Sequence, residues 1–509
     1  MAEGTSGDWI DRDFVAYHAG FRPDQTVCTA FATGERATYL DLHLRANKAA
    51  GAIAALCGDV RGKPLAILAR NSIDFLAFVV ACYRLGAVLQ PLNWRLQAAE
   101  LEFLLNDAGP VLAVYDEEFS PAMLTALRGA AGVKSITTDA FRFEVDAAEP
   151  LAASIPMGFD APFILLYTSG TTGKPKGAIL TRLNTFWQSF NFAAMADVSQ
   201  NSVLLCDSPM FHTVGLIAIS WTTLQKGAMF AISDRFVPAD TIARLLDENL
   251  GATHYFGVPQ IARMLLNDPT YQPRALNRLT AFVVGGAPSP SDLVETLAND
   301  GVLYSNGIGM SETGSIMHIP LNLEMIRANP GTVGIPAPAM QVKIMDGEGN
   351  ELPDGTPGEL CMRGPAVTPG YWRRPEATET AFFGEWFRSG DIAVKRPGDG
   401  FFTVLDRSKD MYISGGENVY PAEVESALMR VPGILDVAVV GVPDERWGEV
   451  GCAFVVLKPD TILEQDHVMR ACAEYLATYK RPKHVRFIEA IPRNAAGKAQ
   501  KHVLRERGL

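Results

Sequence analysis

The chain has 509 residues, 45 Lys plus Arg against 57 Asp plus Glu, and 48% hydrophobic residues. That is the make-up of an ordinary globular protein, and it excludes disordered, collagenous and coiled-coil chains. The net charge of −12 argues against a nucleic-acid backbone as partner, because that binding runs on clustered Lys and Arg.

The opening MAEGTSGDWIDRDF has no basic stretch leading into an apolar core, so it does not read as a secretion signal. The apolar run from Phe75 to Tyr83 stops at Arg84, well short of the ~20 residues needed to span a bilayer. Together these features give the expectation of a cytoplasmic protein with no membrane span. Cys28, Cys57, Cys82, Cys206, Cys361, Cys452 and Cys472 are scattered and include no CxxC pair, which supports neither a disulfide framework nor a structural zinc site. From residue 60 to 330 short apolar runs alternate with amphipathic stretches, the pattern of parallel sheets with covering helices. Phe163 to Tyr167 (FILLY) and Ala281 to Val284 (AFVV) read as strands, each followed by glycine-containing sequence, where open α/β sheets place ligands. Between them, Ile242, Leu245, Leu246 and Leu250 share one helical face and Gly251 ends the helix before the strand THYFG. Beyond residue 330 the sequence is dense in Gly and Pro with short strand-like runs, a small β-rich unit. The last hundred residues predict a helix opening at Pro421, apolar runs at Ile434 to Val440 and Cys452 to Leu457, and a helix near Val468 to Leu476, an α+β unit. No internal repeat or low-complexity tract interrupts this order.

TSGTTGKPKG, Thr168 to Gly177, combines hydroxyls, glycines and two lysines directly after a strand. Glycines let backbone N–H groups approach phosphate oxygens, hydroxyls add donors and lysines add charge, so the loop suits a polyphosphate. It is not a Walker loop, because Gly173-Lys174 is followed by Pro175. With this loop come SPMFHTVG, VVGGAP, NGIGMSETG, EWFRSGD, VLDRSKDMYISGGENVYPAEVE and IPRNAAGK in order. Together they resemble the adenylate-forming enzymes, the family of acyl- and aryl-CoA ligases, peptide-synthetase adenylation domains and beetle luciferases. The resemblance implies an α/β fold: an N-terminal AMP-binding domain over residues 1–408, built of two α/β sheets plus a small β-barrel-like unit, and a mobile α+β domain over residues 409–509.

It also implies roles. Thr168, Ser169, Gly170, Thr171, Thr172, Gly173 and Lys174 form the phosphate loop, and Glu312 holds Mg²⁺, a hard cation that takes one or two carboxylates plus nucleotide phosphates. Gly285, Gly286 and Ala287 border adenine with Gly307, Ile308, Gly309, Met310 and Ser311, while Asp391 and Arg407 hold the ribose. Ile308 departs from the family's usual aromatic residue, forgoing the ~0.5–1.5 kcal/mol that a ring adds beyond its area. Lys498 resembles the lysine inserted between carboxylate and α-phosphate, where a desolvated ammonium stabilises growing negative charge. Lys409 resembles the interdomain hinge, and Gly415-Gly416 the segment lining the pantetheine channel. The acyl pocket is expected from Trp187, His212, Thr213, Val214, Tyr255, Phe256, Gly285, Gly307 and Ile308, with His212 at its carboxylate mouth. Gly285 and Gly307 leave room beyond a two- or three-carbon acid. The apolar lining disfavours a second carboxylate, since an unpaired buried charge costs several kcal/mol.

The expected activity is ATP-dependent acyl-CoA synthesis through an acyl-adenylate, with Lys498, His212, Thr168 and Glu312 catalytic. ATP, Mg²⁺ and coenzyme A are the cofactors and co-substrates, and the acid is a mid-sized monocarboxylate, aromatic or medium-chain fatty. Loading of a carrier protein and a non-catalytic nucleotide sensor are the alternatives. A homodimer is the expected assembly, closed two-fold pairs being commonest.

Overall fold

Four sheets organise the chain in the computed structural model, which describes residues 13–168, 175–286, 289–407, 410–415, 417–459, 461–493 and 499–507. The six-stranded sheet runs in the order Lys134–Thr137, Leu112–Tyr115, Pro64–Leu68, Val88–Pro91, Pro162–Thr168, Lys176–Thr181. Every neighbouring pair is parallel except the last, which is antiparallel. The nine-stranded sheet has a parallel centre in the order Tyr304–Met310, Ala281–Val284, His254–Gly257, Val203–Cys206, Met229–Ile232, Thr26–Ala30, with antiparallel strands at both edges. Strands covered on both faces read as near-continuous apolar runs; Pro64–Leu68 and Val88–Pro91 are buried at every residue, and the one polar side chain among them, Gln90, donates to the Leu104 carbonyl at 3.0 Å. AFVV and FILLY are strands as expected. The helix expected to reach Leu250 instead spans Pro238–Leu246. Pro238 opens it, and the chain then turns through Gly251 at φ 61°, whose N–H donates to the Asp247 carbonyl, into His254–Gly257.

One apolar cluster joins the two sheets through Leu65, Ile67, Phe163, Val27, Phe230 and Phe256. Through it runs the helix Ile73–Arg84, capped by Ser72 and buried at every residue except Asp74. Arg84, the charge that ends the apolar run, is itself buried. Its guanidinium pairs with Asp13, the N-cap of the first helix Phe14–Phe21, and donates to the His43 carbonyl and to Asn47 Oδ1, each at 2.8 Å. Removing one partner of such a buried pair costs about 3–5 kcal/mol, so this pair helps fasten the N-terminal helix, whose Val15 and Ala19 also pack into the apolar cluster.

The expected β-rich unit is an antiparallel five-stranded sheet from Gln341–Met345 to Phe402–Arg407. The expected α+β unit is a further sheet of Tyr412–Ser414, Glu417–Val419, Ile434–Asp444, Gly448–Leu457 and His484–Phe487 with the helices Pro421–Leu428, Gln465–Tyr475 and Lys501–Glu506. Asp406, on the last strand before that unit, accepts a 2.7 Å bond from the backbone N–H of Ala422 in the first turn of its first helix. Among the described residues no helix is long and apolar enough to cross a membrane.

Candidate active site at the strand ends

The strand Pro162–Thr168 enters the phosphate loop and Lys176–Thr181 leaves it, with Thr168 opposite Lys176. Ser169 to Lys174 lie outside the described residues. At the mouth of the pair stands Glu312, 8% exposed. Its Oε1 accepts from Thr168 Oγ1 at 3.4 Å and from the Tyr371 hydroxyl at 3.1 Å. Tyr371 was not foreseen from the sequence. It bridges to Ala178, while Trp372 N–H donates to the Gly177 carbonyl at 2.8 Å and Ile179 N–H to the Gly370 carbonyl at 3.0 Å. The strand leaving the loop is thus zipped to the segment that carries this tyrosine. Thr368 N–H donates to the Glu312 carbonyl at 2.7 Å. The helix Arg182–Ala196 holds the same segment from behind: Asn184 Nδ2 donates to the carbonyls of Pro365 and Val367, and Gln188 Nε2 to that of Ala366.

Glu312 Oε2 has no hydrogen bond among the described residues. No group of three or more His, Cys, Asp or Glu side chains gathers as a metal cage among them. One carboxylate with one oxygen tied and the other open, beside a phosphate loop, fits Mg²⁺, which arrives with the phosphates and keeps part of its water.

The residues expected to face the nucleotide lie at adjoining strand ends. Gly285 and Gly286, the latter at φ 84°, follow Ala281–Val284, and Gly307 to Met310 complete the neighbouring strand; Ala287 lies outside the described residues. A Cβ on Gly307 would stand 2.5 Å from the Met317 carbonyl oxygen and 2.9 Å from His318 Cβ. Glycine there is demanded by the approach of the next strand, so its missing side chain does not measure pocket room, which corrects the sequence argument. Ile308 pairs with Met317 and packs with Trp187 on the cluster beneath the antiparallel sheet. Asp391 and Arg407 face each other across two strands, with Nε 2.6 Å from Oδ1 and the carboxylate buried.

His212 sits on a turn between Cys206 and an eight-residue π-helix, Val214–Trp221, whose i to i+5 bonding continues in Ser220 Oγ to the Gly215 carbonyl at 2.6 Å. π-helical turns are rare and concentrate at functional sites. Asn71 pins the turn from the other sheet: its Nδ2 donates to the carbonyls of Ser208 and Ser233, and its Oδ1 accepts from Met210 N–H at 2.7 Å. Asp207 pins it from below, accepting from Ser233, from Thr241 Oγ1 at 2.6 Å and from the Tyr255 hydroxyl at 2.9 Å. Burial holds the His212 imidazole below its usual basicity. Its Nδ1 accepts from Val214 N–H at 3.4 Å, which leaves Nε2 as the protonated nitrogen, a donor. Thr213 is the N-cap of the π-helix and Val214 its first residue, packed against the cluster that holds Phe256.

Tyr255 was expected beside Phe256 in the pocket. The structure separates them, because neighbours on a strand point to opposite faces: Tyr255 packs in a different cluster and bonds Asp207. Phe256 instead stacks on Phe192, ring centroids 5.5 Å apart and nearly parallel at 6°. Trp187, five residues before Phe192 on its helix, belongs with Ile308 in another cluster. The expected pocket side chains thus fall in three clusters: Val214 with Phe256, Tyr255 apart, and Trp187 with Ile308.

The model for AMP-binding enzymes matches residues 15–372, and that for the AMP-binding enzyme C-terminal domain matches residues 423–498. The chain belongs to the AMP-binding enzyme family. It is 36% identical over 474 residues to a feruloyl-CoA synthase of an Amycolatopsis species, covering 93% of this chain and 94% of that one. A long-chain-fatty-acid–CoA ligase of Mycobacterium tuberculosis is 34% identical over 485 residues, at the same coverages. The o-succinylbenzoate CoA synthetase of Bacillus subtilis, solved with its acyl-adenylate intermediate, superposes with a TM-score of 0.87 at 28% identity, covering 97% of this chain and 98% of that one.

Two further faces of this AMP-binding enzyme bring cations against aromatic rings. Gly415 N–H donates to the Trp447 carbonyl at 2.9 Å, and a Cβ on Gly415 would stand 2.7 Å from the Trp447 ring. Arg446 and Lys483 lie over that ring at 5.1 and 5.7 Å. Beside the His212 turn, Phe211 meets Trp94 edge-on, and Trp94 lies between the guanidinium groups of Arg70 and Arg95 at 3.9 and 4.0 Å. Arg70 is bound by Glu118 at 2.8 Å, whereas Arg95 has no acidic partner among the described residues. Sequence reasoning missed both faces, since the partners are far apart along the chain. Lys409, Gly416 and Lys498 lie outside the described residues.

Proposed function

We propose that this chain is an acyl-CoA synthetase for a mid-sized monocarboxylate, with an aromatic acid preferred to a medium-chain fatty acid. A carboxylate oxygen attacks the α-phosphorus of ATP and pyrophosphate leaves. The CoA thiol then attacks the acyl carbon, its sulfur–carbon bond replaces the bond to AMP, and the thiol proton goes to solvent. The observation that carries this reading is the contact of Thr168 and Tyr371 with one oxygen of Glu312 at the end of the phosphate-loop strands.

Mg²⁺ at Glu312 would draw negative charge from the phosphates. Every other task falls to the chain. Asp391 and Arg407 orient the ribose, and Gly285, Gly286, Ala287, Gly307 and Ile308 frame the base. Neutral His212 donates from Nε2 to the acid, and Lys498 bridges acid and phosphate. The parallel ring pair Phe192–Phe256 favours an aromatic substrate, in keeping with the feruloyl name of the first relative. In the second half-reaction residues 409–509 turn about Lys409, Gly415 and Gly416 admit the pantetheine arm, and Arg95 on Trp94 offers its guanidinium to an anionic group of CoA. The cytoplasm fits the six described cysteines, all free, and a homodimer is the proposed assembly.

Carboxylate-dependent exchange of pyrophosphate into ATP, run with acetate, malonate, octanoate, benzoate and ferulate, tests the reading. An aromatic acid is expected to lead in kcat/KM; a lead for acetate or malonate refutes the pocket, and exchange with none refutes the activity. Lys498→Ala is expected to abolish this exchange while thioester formation from a supplied acyl-adenylate survives, and Gly416→Leu is expected to do the reverse.

A further inference from the structure

Tyr371 lies in a loop of the third unit, 59 positions beyond Glu312, and its surroundings do more than bury it. Its backbone is bridged to Ala178 on the strand that leaves the phosphate loop, and its flanks are bonded to the same strand through Gly370 with Ile179 and Trp372 with Gly177. Its ring carries the Lys176 ammonium at 5.5 Å, and Lys176 is itself the residue opposite Thr168. Its hydroxyl donates to Oε1 of Glu312, the oxygen that also takes the longer Thr168 bond. Thr368, in the same loop, fixes the Glu312 backbone. Side chain and main chain of Glu312 are therefore both held from one loop, and that loop is fastened to the strand bearing the phosphate loop.

We propose that Tyr371 is a positioning residue for the divalent cation of this enzyme: by occupying Oε1 of Glu312 it turns Oε2 toward the metal and ties the carboxylate to the phosphate-loop strand. The inference rests on Glu312 as the metal carboxylate. A carboxylate free to rotate between two equivalent oxygens loses orientation when a cation arrives; one already bonded at a single oxygen does not. A phenol is protonated at neutral pH, so the hydroxyl is the donor and the Glu312 carboxylate the acceptor in this bond. Groups that orient a metal ligand in this way are typically worth about 10- to 100-fold in metal affinity.

The test is a binding measurement. ATP affinity is determined by calorimetry with MgCl₂ and again with EDTA, for the unaltered chain, Tyr371→Phe, Glu312→Gln and the double variant. Tyr371→Phe removes one oxygen atom and keeps the ring against Lys176. It is expected to weaken MgATP binding about tenfold while metal-free ATP binds as before, and to raise by a similar factor the Mg²⁺ concentration that half-saturates pyrophosphate exchange. In the Glu312→Gln background it is expected to add nothing further. Equal weakening with and without metal, or an additive effect in the double variant, means that the tyrosine merely shapes the loop, and overturns the proposal; so does no change in Tyr371→Phe when Glu312→Gln loses its metal response. A Glu312→Gln chain with unaltered Mg²⁺ dependence overturns the metal assignment itself, and the inference with it.

Discussion

His212 and Asp207 show how much of the site depends on single side chains that never touch each other. Asp207 is buried, and Ser233, Thr241 and Tyr255 donate to it from three separate segments, with Arg244 3.7 Å away. Asp207→Ala strands those donors in the core, at about 1–3 kcal/mol for each unsatisfied group before relaxation. A loss of about 3 kcal/mol is expected in denaturant unfolding, together with a fall in exchange activity, because the turn bearing His212 begins at the next residue. His212→Ala is expected to behave differently. It removes one hydrogen bond to a charged acid, worth ~1.5–3 kcal/mol, so kcat/KM for the acid should fall about 10- to 100-fold while stability and ATP affinity hold. A parallel loss of ATP affinity would place His212 at the nucleotide instead.

At the scale of elements, the π-helix Val214–Trp221 is held open by Gly215. A Cβ there would stand 2.4 Å from the Pro209 carbonyl oxygen and 2.7 Å from that of Ser208, and backbone cannot swing aside as a side-chain tip can. Gly215→Ala is expected to cost ~1–3 kcal/mol and to displace His212, lowering exchange as His212→Ala does; unchanged Tm and exchange would show that the turn has slack. The sequence makes the strands legible where burial on both faces writes a continuous apolar run, as in FILLY and AFVV, and the phosphate loop legible because its residues are contiguous. It hides what depends on partners far along the chain. VGLIAISW is apolar enough for any buried element, and nothing in its pattern announces the close approach of Gly215 to the Pro209 and Ser208 carbonyls. Tyr371 carries no periodic signal, and Arg84 reads as the end of an apolar run although Asp13, 71 positions away, buries it. Gly307 was misread because a missing side chain looks the same in sequence whether it frees space for a ligand or for a neighbouring strand.

Across the whole molecule, His18, His43, His212, His254 and His318 are all held below their ordinary basicity by burial. His318 is brought down to about 4. A histidine with a depressed folded pKa costs nothing above pH 6.5; as pH falls from there to 4 the unfolded chain takes up the proton and the folded chain refuses it. The span of about 2.5 units corresponds to roughly 3 kcal/mol for His318. Tm is therefore expected to drop steeply between pH 6.5 and 4, and His318→Gln to flatten that slope; an unchanged slope would assign the acid lability elsewhere.

The bond from Ala422 N–H to Asp406 bears on how the two halves of the reaction share time. Asp406 stands three residues before Lys409, so the turn proposed at Lys409 would carry Ala422 away from it. A pivot at Lys409 would therefore have a preferred resting position, and leaving it would give up a charge-assisted bond of ~1.5–3 kcal/mol. That is a population ratio of about 10 to 100, set by a side chain that contacts no substrate. Asp406→Ala is expected to redistribute the occupancy of the two orientations, read as a shifted distance distribution between one label on each unit. Occupancy of whichever half-reaction uses the resting orientation would shrink and that of the other would grow, so a single substitution remote from both chemistries would change which of them limits turnover.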